Sequence, residues 1–370
     1  MNSPTRSPSS PDGPTRGQRA LDSRSRSRRC AGAVFAALAG VAVTAGALAA
    51  PASAEPTLTV GYFTGLIAEP ETVIGSTPSL AADIPAHIKW IPITAGVTGL
   101  AEVSAGALDA VAGVGNPPTV AAISNGTNVD VVWDQSLDSD SLIVPKSIAA
   151  PDQLIGKTIG DLEGSSEDYE VHGWLSSEHL TGKVTVVGFQ SEQAAAAAWL
   201  AGKITAAYVA GVLELTLTQH GGVPLTNAKQ IANLGYPGLN VLAVTHKLIV
   251  SDPALVQAYV CAELKATNDL FGPDQDTYFR ASAGLLGVAP AQAVQATKQY
   301  LTYYFLPSQE KAELEGANGS TQSSPTVQAY IKTATFDKAQ GRITSVPSAA
   351  MLASHVDPTF ALNAIAGHCS

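Results

Sequence analysis

Cysteine is scarce in this chain, and so are basic residues. Three cysteines occur in 370 residues. One of them, Cys30, precedes an apolar stretch rather than closing it, which is the wrong place for a lipid-modified cysteine. The other two, Cys261 and Cys369, either pair and pin the C-terminal tail or remain two free thiols. The first 29 residues hold seven Arg against two acids. Beyond residue 54 the chain therefore carries 14 basic and 29 acidic residues, a net charge of −15. Such a surface repels nucleic acid and anionic lipid. It does not bar a small anion, because a local nest of backbone N–H groups can oppose the overall field.

Several catalytic and cofactor signatures are also missing. Gly113-x-Gly115 follows a strand and precedes a helix, but Pro118 stands where a dinucleotide fingerprint needs its third glycine. The lysine of a phosphate-binding loop is absent, and so is a nucleophile elbow around Ser165 or Ser166. The seven histidines show no metal-ligand spacing; His172 and His179 stand seven apart. Acid pairs such as Glu167-Asp168 read as solvent-facing groups at a helix start, where the dipole favours them. No cofactor or metal is implied, and no catalytic residue.

The chain begins with a basic segment and an uncharged Ala/Gly/Val stretch from Ala31 to Ala50, then Pro51-Ala52-Ser53-Ala54. This is the layout of a cleavable secretory signal, predicted to be cut after Ala54. No later stretch is long and apolar enough to span a membrane. The expectation is an exported, soluble protein of 316 residues, enough for two domains.

Beyond the leader, short β-like segments alternate with helix-like ones. Strands are predicted at Leu58–Phe63, Ile88–Ile93, Ala110–Val114 and Val129–Trp133, with a helix ending near Asp83 and another over Val97–Ala107. A second run repeats the pattern, with strands at Lys157–Gly160, Val184–Val187 and Ala206–Val209. Helices are predicted over Tyr169–Ser177 and Glu192–Ala201. Strand–helix alternation with short loops is the signature of mainly parallel sheets flanked by helices, and two runs suggest two lobes. After Leu239–Val244 the chain turns helical, with starts at Asp252-Pro253 and Pro290 and a loop over 315–326.

Small polar loops recur where strands feed helices: Thr64-Gly65, Gly115-Asn116-Pro117 and Gly164-Ser165-Ser166. In open α/β sheets this edge binds ligands, and helix N-termini with Ser and Asn side chains suit an oxyanion. Plain helix capping uses the same residues.

The order of several short stretches resembles a known family. These are Gly106-Ala107-Leu108-Asp109, Val114 to Ala122, Asp138 to Val144, Leu154 to Thr158, Gly164-Ser165-Ser166 with Tyr169, Ala197 to Gly202, and Ala206 to Val209. The chain resembles the solute-binding proteins of ABC importers for nitrate, sulfonates and taurine, most of all the taurine type, over roughly residues 57–270. The resemblance implies a two-lobed periplasmic-binding-protein fold (type II). Lobe one would hold residues 55–143 and 240–370, and an inserted lobe two residues 144–239. Strands near Leu142 and Val241 would form the hinge. It implies a monomer that clamps a taurine-like or alkanesulfonate ligand and docks on a membrane permease. Ligand contacts carry over to Asn116, Pro117, Ser165, Ser166 and Tyr169, with Tyr208 a further candidate and Thr64-Gly65 at the first loop.

The match has gaps. Where taurine-type members continue Tyr-Val with Trp-Asp, this chain has Ala210-Gly211, so a stacking ring and a counter-charge to the amine are lost. Asp140 stands for the usual Glu, and Asp168 for the usual His. Asp134, Asp140 and Glu167 are the candidates to replace the lost charge. Two other roles fit the same fold: a protein that binds or makes a thiamin pyrimidine precursor, and a sensory module. The first calls for a reactive His or Cys in the cleft, and no cysteine falls in the cleft-forming loops.

Overall fold

The computed structural model describes residues 55–64 and 69–369. The leader expected over residues 1–54, with Cys30, lies outside the described residues, as does Gly65.

Among the described residues ten strands form two five-stranded sheets. They are β1 Thr57–Phe63, β2 His87–Ile93, β3 Ala110–Gly115, β4 Val129–Leu137, β5 Ser141–Pro145, β6 Thr158–Leu162, β7 Thr185–Phe189, β8 Ala206–Val209, β9 Gly222–Asn227 and β10 Leu239–Thr245. The orders are β2-β1-β3-β10-β4 and β7-β6-β8-β5-β9. In each sheet the fourth strand of that order runs antiparallel to both neighbours, and the remaining strands share one direction. The sheets are thus mixed, and mainly parallel. Each reversed strand, β5 or β10, is the first to enter its sheet from the other lobe. It arrives without the helical crossover that parallel neighbours need.

The outgoing connection is only Asp138-Ser139-Asp140, between β4 and β5. The return runs from β9 through the helix Ala228–Asn233 to β10.

Composition explains most of these elements. β3 is buried along its whole length, which its Ala/Val/Gly sequence permits. β2 and β9 carry Pro92 and Pro224 and lie at sheet edges, where a missing N–H costs no ladder bond. Ser165, Ser191 and Asp252 cap the helices Ser166–Ser177, Glu192–Leu200 and Pro253–Leu270 through side-chain oxygens. The helix expected before Asp83 is two short ones, Pro70–Ser76 and Pro78–Ala81, because Pro78 restarts the turn.

The first sheet packs against the C-terminal helices through Val60, Val111, Leu242, Tyr259, Phe279 and Tyr330. The second has its own core around Leu142, Ile159, Trp174 and Tyr208. Each such side chain contributes about 1.5–3 kcal/mol when fully buried. A smaller cluster joins Leu215 and Ala228 to Ala296, Tyr303 and Tyr304. Cys261 and Cys369 form a disulfide, with Cα atoms 5.7 Å apart, which ties the tail to the helix Pro253–Leu270. Among the described residues no helix is long and apolar enough to cross a membrane.

Candidate functional site

A narrow cavity lies between the two sheets. Its free space is about 480 Å³ including the mouth, of which about 30 Å³ accommodates the centre of a water molecule. The walls come from where the strands end. Phe63 closes β1, and Gly113 and Gly115 belong to the end of β3. Asp138, Ser139 and Asp140 are the whole outgoing connection. Ser165, Ser166 and Glu167 open one helix and Glu192 another.

The lining is acidic. Glu69, Asp138, Asp140, Glu167 and Glu192 face the cavity, and among the described residues no Lys, Arg or His does. Oxygens of Asp140, Glu167 and Glu192 lie within 4.8 Å of one another, and all three side chains are buried. Burial, reinforced by the neighbouring charges of Asp138, Glu167 and Glu192, raises Asp140 well above the carboxylate range. Burial also raises Glu167, with Asp138 and Glu192 adding to it. Glu192 is pushed up to about 8, mainly by burial, although its carboxylate accepts a 2.9 Å hydrogen bond from the Ala210 N–H.

On the first lobe burial raises Glu69, helped by Glu71 beside it. Gly113 has φ +68, and a Cβ there would stand 2.5 Å from Glu69 Oε2, so only glycine fits on both counts. Glu69 Oε2, Asp138 Oδ2 and Asp140 Oδ1 are buried and have no hydrogen-bond partner within the protein.

The expected site residues divide. Asp140, Ser165 and Ser166 line the cavity, and so does Glu167. The reading of Glu167-Asp168 as a solvent-facing pair is corrected: both are buried, because their helix start is covered by the facing lobe. Thr64 is half-buried beyond Phe63 and is not in the lining. Asn116 and Pro117 do not line it either; Pro118 does. The Asn116 amide donates to Pro237 O at 3.1 Å and Thr333 Oγ1 at 2.8 Å, and its oxygen accepts from Leu239 N at 3.1 Å, so it holds the return connection instead.

Asp134 is buried in β4, accepting from Thr326 Oγ1 at 2.7 Å beside Glu310. Tyr208 donates to Glu170 Oε2 at 2.8 Å, and Glu170 in turn accepts from Gly238 N. Tyr169 lies in a second groove, edge-on to Tyr236 and Phe336. These three side chains serve packing behind or beside the cavity.

Glu69, Asp138 and Glu192 had no signal of their own in the sequence. An acid in the first turn of a helix reads as a dipole partner, and nothing local shows that the other lobe covers it. Asp161, Asp168 and His172 also converge within reach of one metal ion. There, however, Arg342 already pairs with Asp168.

No protein-family model matches the chain. It is 29% identical over 297 residues to the taurine-binding periplasmic protein of Escherichia coli (strain K12), a match covering 78% of this chain and 88% of that protein. It superposes on the alkanesulfonate-binding protein SsuA from Xanthomonas axonopodis pv. citri bound to MOPS with a TM-score of 0.66 and 20% identity, covering 82% of this chain and 99% of that one. The desulfurization enzyme DSZB shares the fold more loosely, with a TM-score of 0.55 at 17% identity, over 85% of this chain and 99% of that one. The architecture is therefore that of the two-lobed periplasmic binding proteins. The chain is a homologue of the taurine-binding protein, and its role is to bind a solute.

Proposed function

We propose that this chain is the extracytoplasmic solute-binding component of an ABC importer, and that its ligand is a small compound bearing a cationic amine. The five carboxylates of the cavity, without a basic side chain among the described lining residues, carry that reading. An alkanesulfonate or nitrate would meet only like charge there. The helix Asn116–Ser124 gives an anion little help, because Pro117 and Pro118 lack the N–H groups that a helix start normally offers. The anionic half of the expected ligand range thus fits poorly. The zwitterionic half, taurine-like compounds included, fits through its amine.

The two connections between the sheets act as the hinge, and the closed form docks on a membrane permease. The mature protein diffuses freely as a monomer outside the cytoplasm. It is a binding protein rather than an enzyme: among the described residues no thiol and no serine–histidine pair lines the cavity, and Cys261 is held in a disulfide.

Mass spectrometry of small molecules released from the purified protein tests this, together with thermal shifts over taurine, alkylamines, amine-free sulfonates and nitrate. Amine-bearing compounds should raise the midpoint. Stabilisation by propanesulfonate or nitrate, and by no amine, would sink the ligand reading.

A further inference from the structure

The carboxylates of the cavity are not one cluster. Asp140, Glu167 and Glu192 converge within 4.8 Å at the second lobe and the crossing connection, and Glu69 stands outside that group, on the first lobe. Each place has an unpartnered, buried oxygen facing the cavity: Asp140 Oδ1 in one, Glu69 Oε2 in the other. Asp140 is 1% exposed and Glu69 6%. Apolar groups of Phe63, Pro118, Leu162 and Ala210 complete the lining. A single ammonium or metal ion at the Asp140 group would leave Glu69 unanswered. A zwitterion would set its anionic end against one of the two. A buried carboxylate left without a donor costs several kcal/mol, so the pattern selects a ligand with a positive charge at each end and methylenes between.

Resting on the amine reading above, we infer that the ligand is a short aliphatic diamine, with one ammonium held by Asp140, Glu167 and Glu192 and the other by Glu69. The apolar lining takes the methylene chain. Glu71 stands behind Glu69, sharing the first lobe's acid group with Glu263 through Gln135. Protons that the crowded acids hold are released to solvent as the dication enters.

The test is titration calorimetry at pH 8 on the purified protein with 1,3-diaminopropane, 1,4-diaminobutane and 1,5-diaminopentane, against butylamine, taurine and Mg²⁺ or Ca²⁺ alone. At least one diamine should bind about 10-fold or more tightly than butylamine, the order of effect of one added charge-assisted contact. Affinity should depend on chain length. Heats measured in buffers of different ionisation enthalpy should show proton release. In Glu69→Gln the diamine advantage should collapse towards that of the monoamine. Should that variant fail to fold, chain-length dependence and proton release in the unaltered protein decide.

Equal binding of butylamine and every diamine would overturn the inference. So would saturation of the site by a divalent metal alone. Taurine binding more tightly than any diamine would overturn it too, while leaving the amine-bearing reading intact. Binding by no amine at all would remove both.

Discussion

Gly115, ending β3 in the first lobe, lies directly against Ser166 at the helix start of the second: a Cβ on Gly115 would meet Ser166 Oγ at 2.9 Å and its backbone nitrogen at 3.3 Å. Gly115 has φ −67°, which alanine adopts without strain. The close approach, not the backbone, is what glycine provides. Gly115→Ala should therefore leave each lobe folded but wedge the cleft. Overpacking of this kind costs about 1–3 kcal/mol, so ligand affinity should fall about 10-fold or more. Calorimetry, with small-angle scattering for lobe closure, checks it. Unchanged affinity would mean that the lobes need not come this close.

Arg342, in the segment after the helix Pro325–Ala339, pairs with Asp168 of the second lobe and with Asp337 at 3.3 Å, and lies 5.1 Å from the Phe336 ring centroid. Burial works to raise Asp168, but His172, Arg342 and the Gly164 N–H together hold it below the usual range. Asp337 is pushed up to about 7 by burial even with Arg342 beside it. Removing the guanidinium leaves two buried carboxylates short of a partner. With the arginine partly exposed, Arg342→Ala should cost about 2 kcal/mol, less than a fully buried pair. The urea midpoint reads this directly.

The acids of the cavity dictate an unusual pH dependence. Burial raises Glu69, Asp140, Glu167 and Glu192 in the folded state, Glu192 to about 8. Unfolded, they titrate near about 4. Between those values the folded chain binds more protons, so stability is full below the unfolded pKa and is lost as pH rises through the folded one. His172 and His355 add the same sign. Burial lowers His172, but Asp168 outweighs it, and Asp130 raises His355 against a smaller burial effect. The ligand-free thermal midpoint should fall steadily from about pH 5 to about pH 9. Saturating amine ligand should flatten that fall. A midpoint that rises over this range would contradict the arrangement.

Asp140→Asn separates stability from binding. It removes one charge from a crowded buried group, so the ligand-free protein should be more stable at pH 8 than the unaltered one. Amine affinity should drop by about 30-fold or more, the usual consequence of truncating one partner of a buried charge pair. Thermal shift and calorimetry give the two signs. A variant that loses stability and keeps affinity would place Asp140 in the framework instead.

The Cys261–Cys369 bond closes a separation of 108 residues and lies outside the cavity lining. Cys369→Ser should lower unfolding stability by about 2–4 kcal/mol and leave ligand affinity unchanged. Denaturant titration with and without reductant measures the first effect.

Local signals were sufficient where a segment's neighbours in space are also its neighbours in sequence. The alternation of β1 to β3 with helices, the Asp252-Pro253 start and the resumption of the pattern after Lys157 were all legible. β4 was read only to Trp133, since Asp134-Gln135-Ser136 looks like a strand's polar end. In the fold Gln135 is satisfied from afar, accepting from Gly113 N at 2.6 Å and donating to Glu71 at 3.1 Å. β9 was missed because Pro224 hides an edge strand.

The sequence alone determined the two runs of α/β units, the surplus of acid, and the loops at the strand ends that carry Ser165, Ser166 and Asp140. Those are properties of composition and period. Only the tertiary structure decided what the acids do. Two lobes meeting face to face take Glu69, Asp138, Asp140, Glu167 and Glu192 out of water together, and turn Asn116, Asp134 and Tyr208 to framework duties. A carboxylate at a helix start looks the same on paper whether water or another carboxylate stands opposite it.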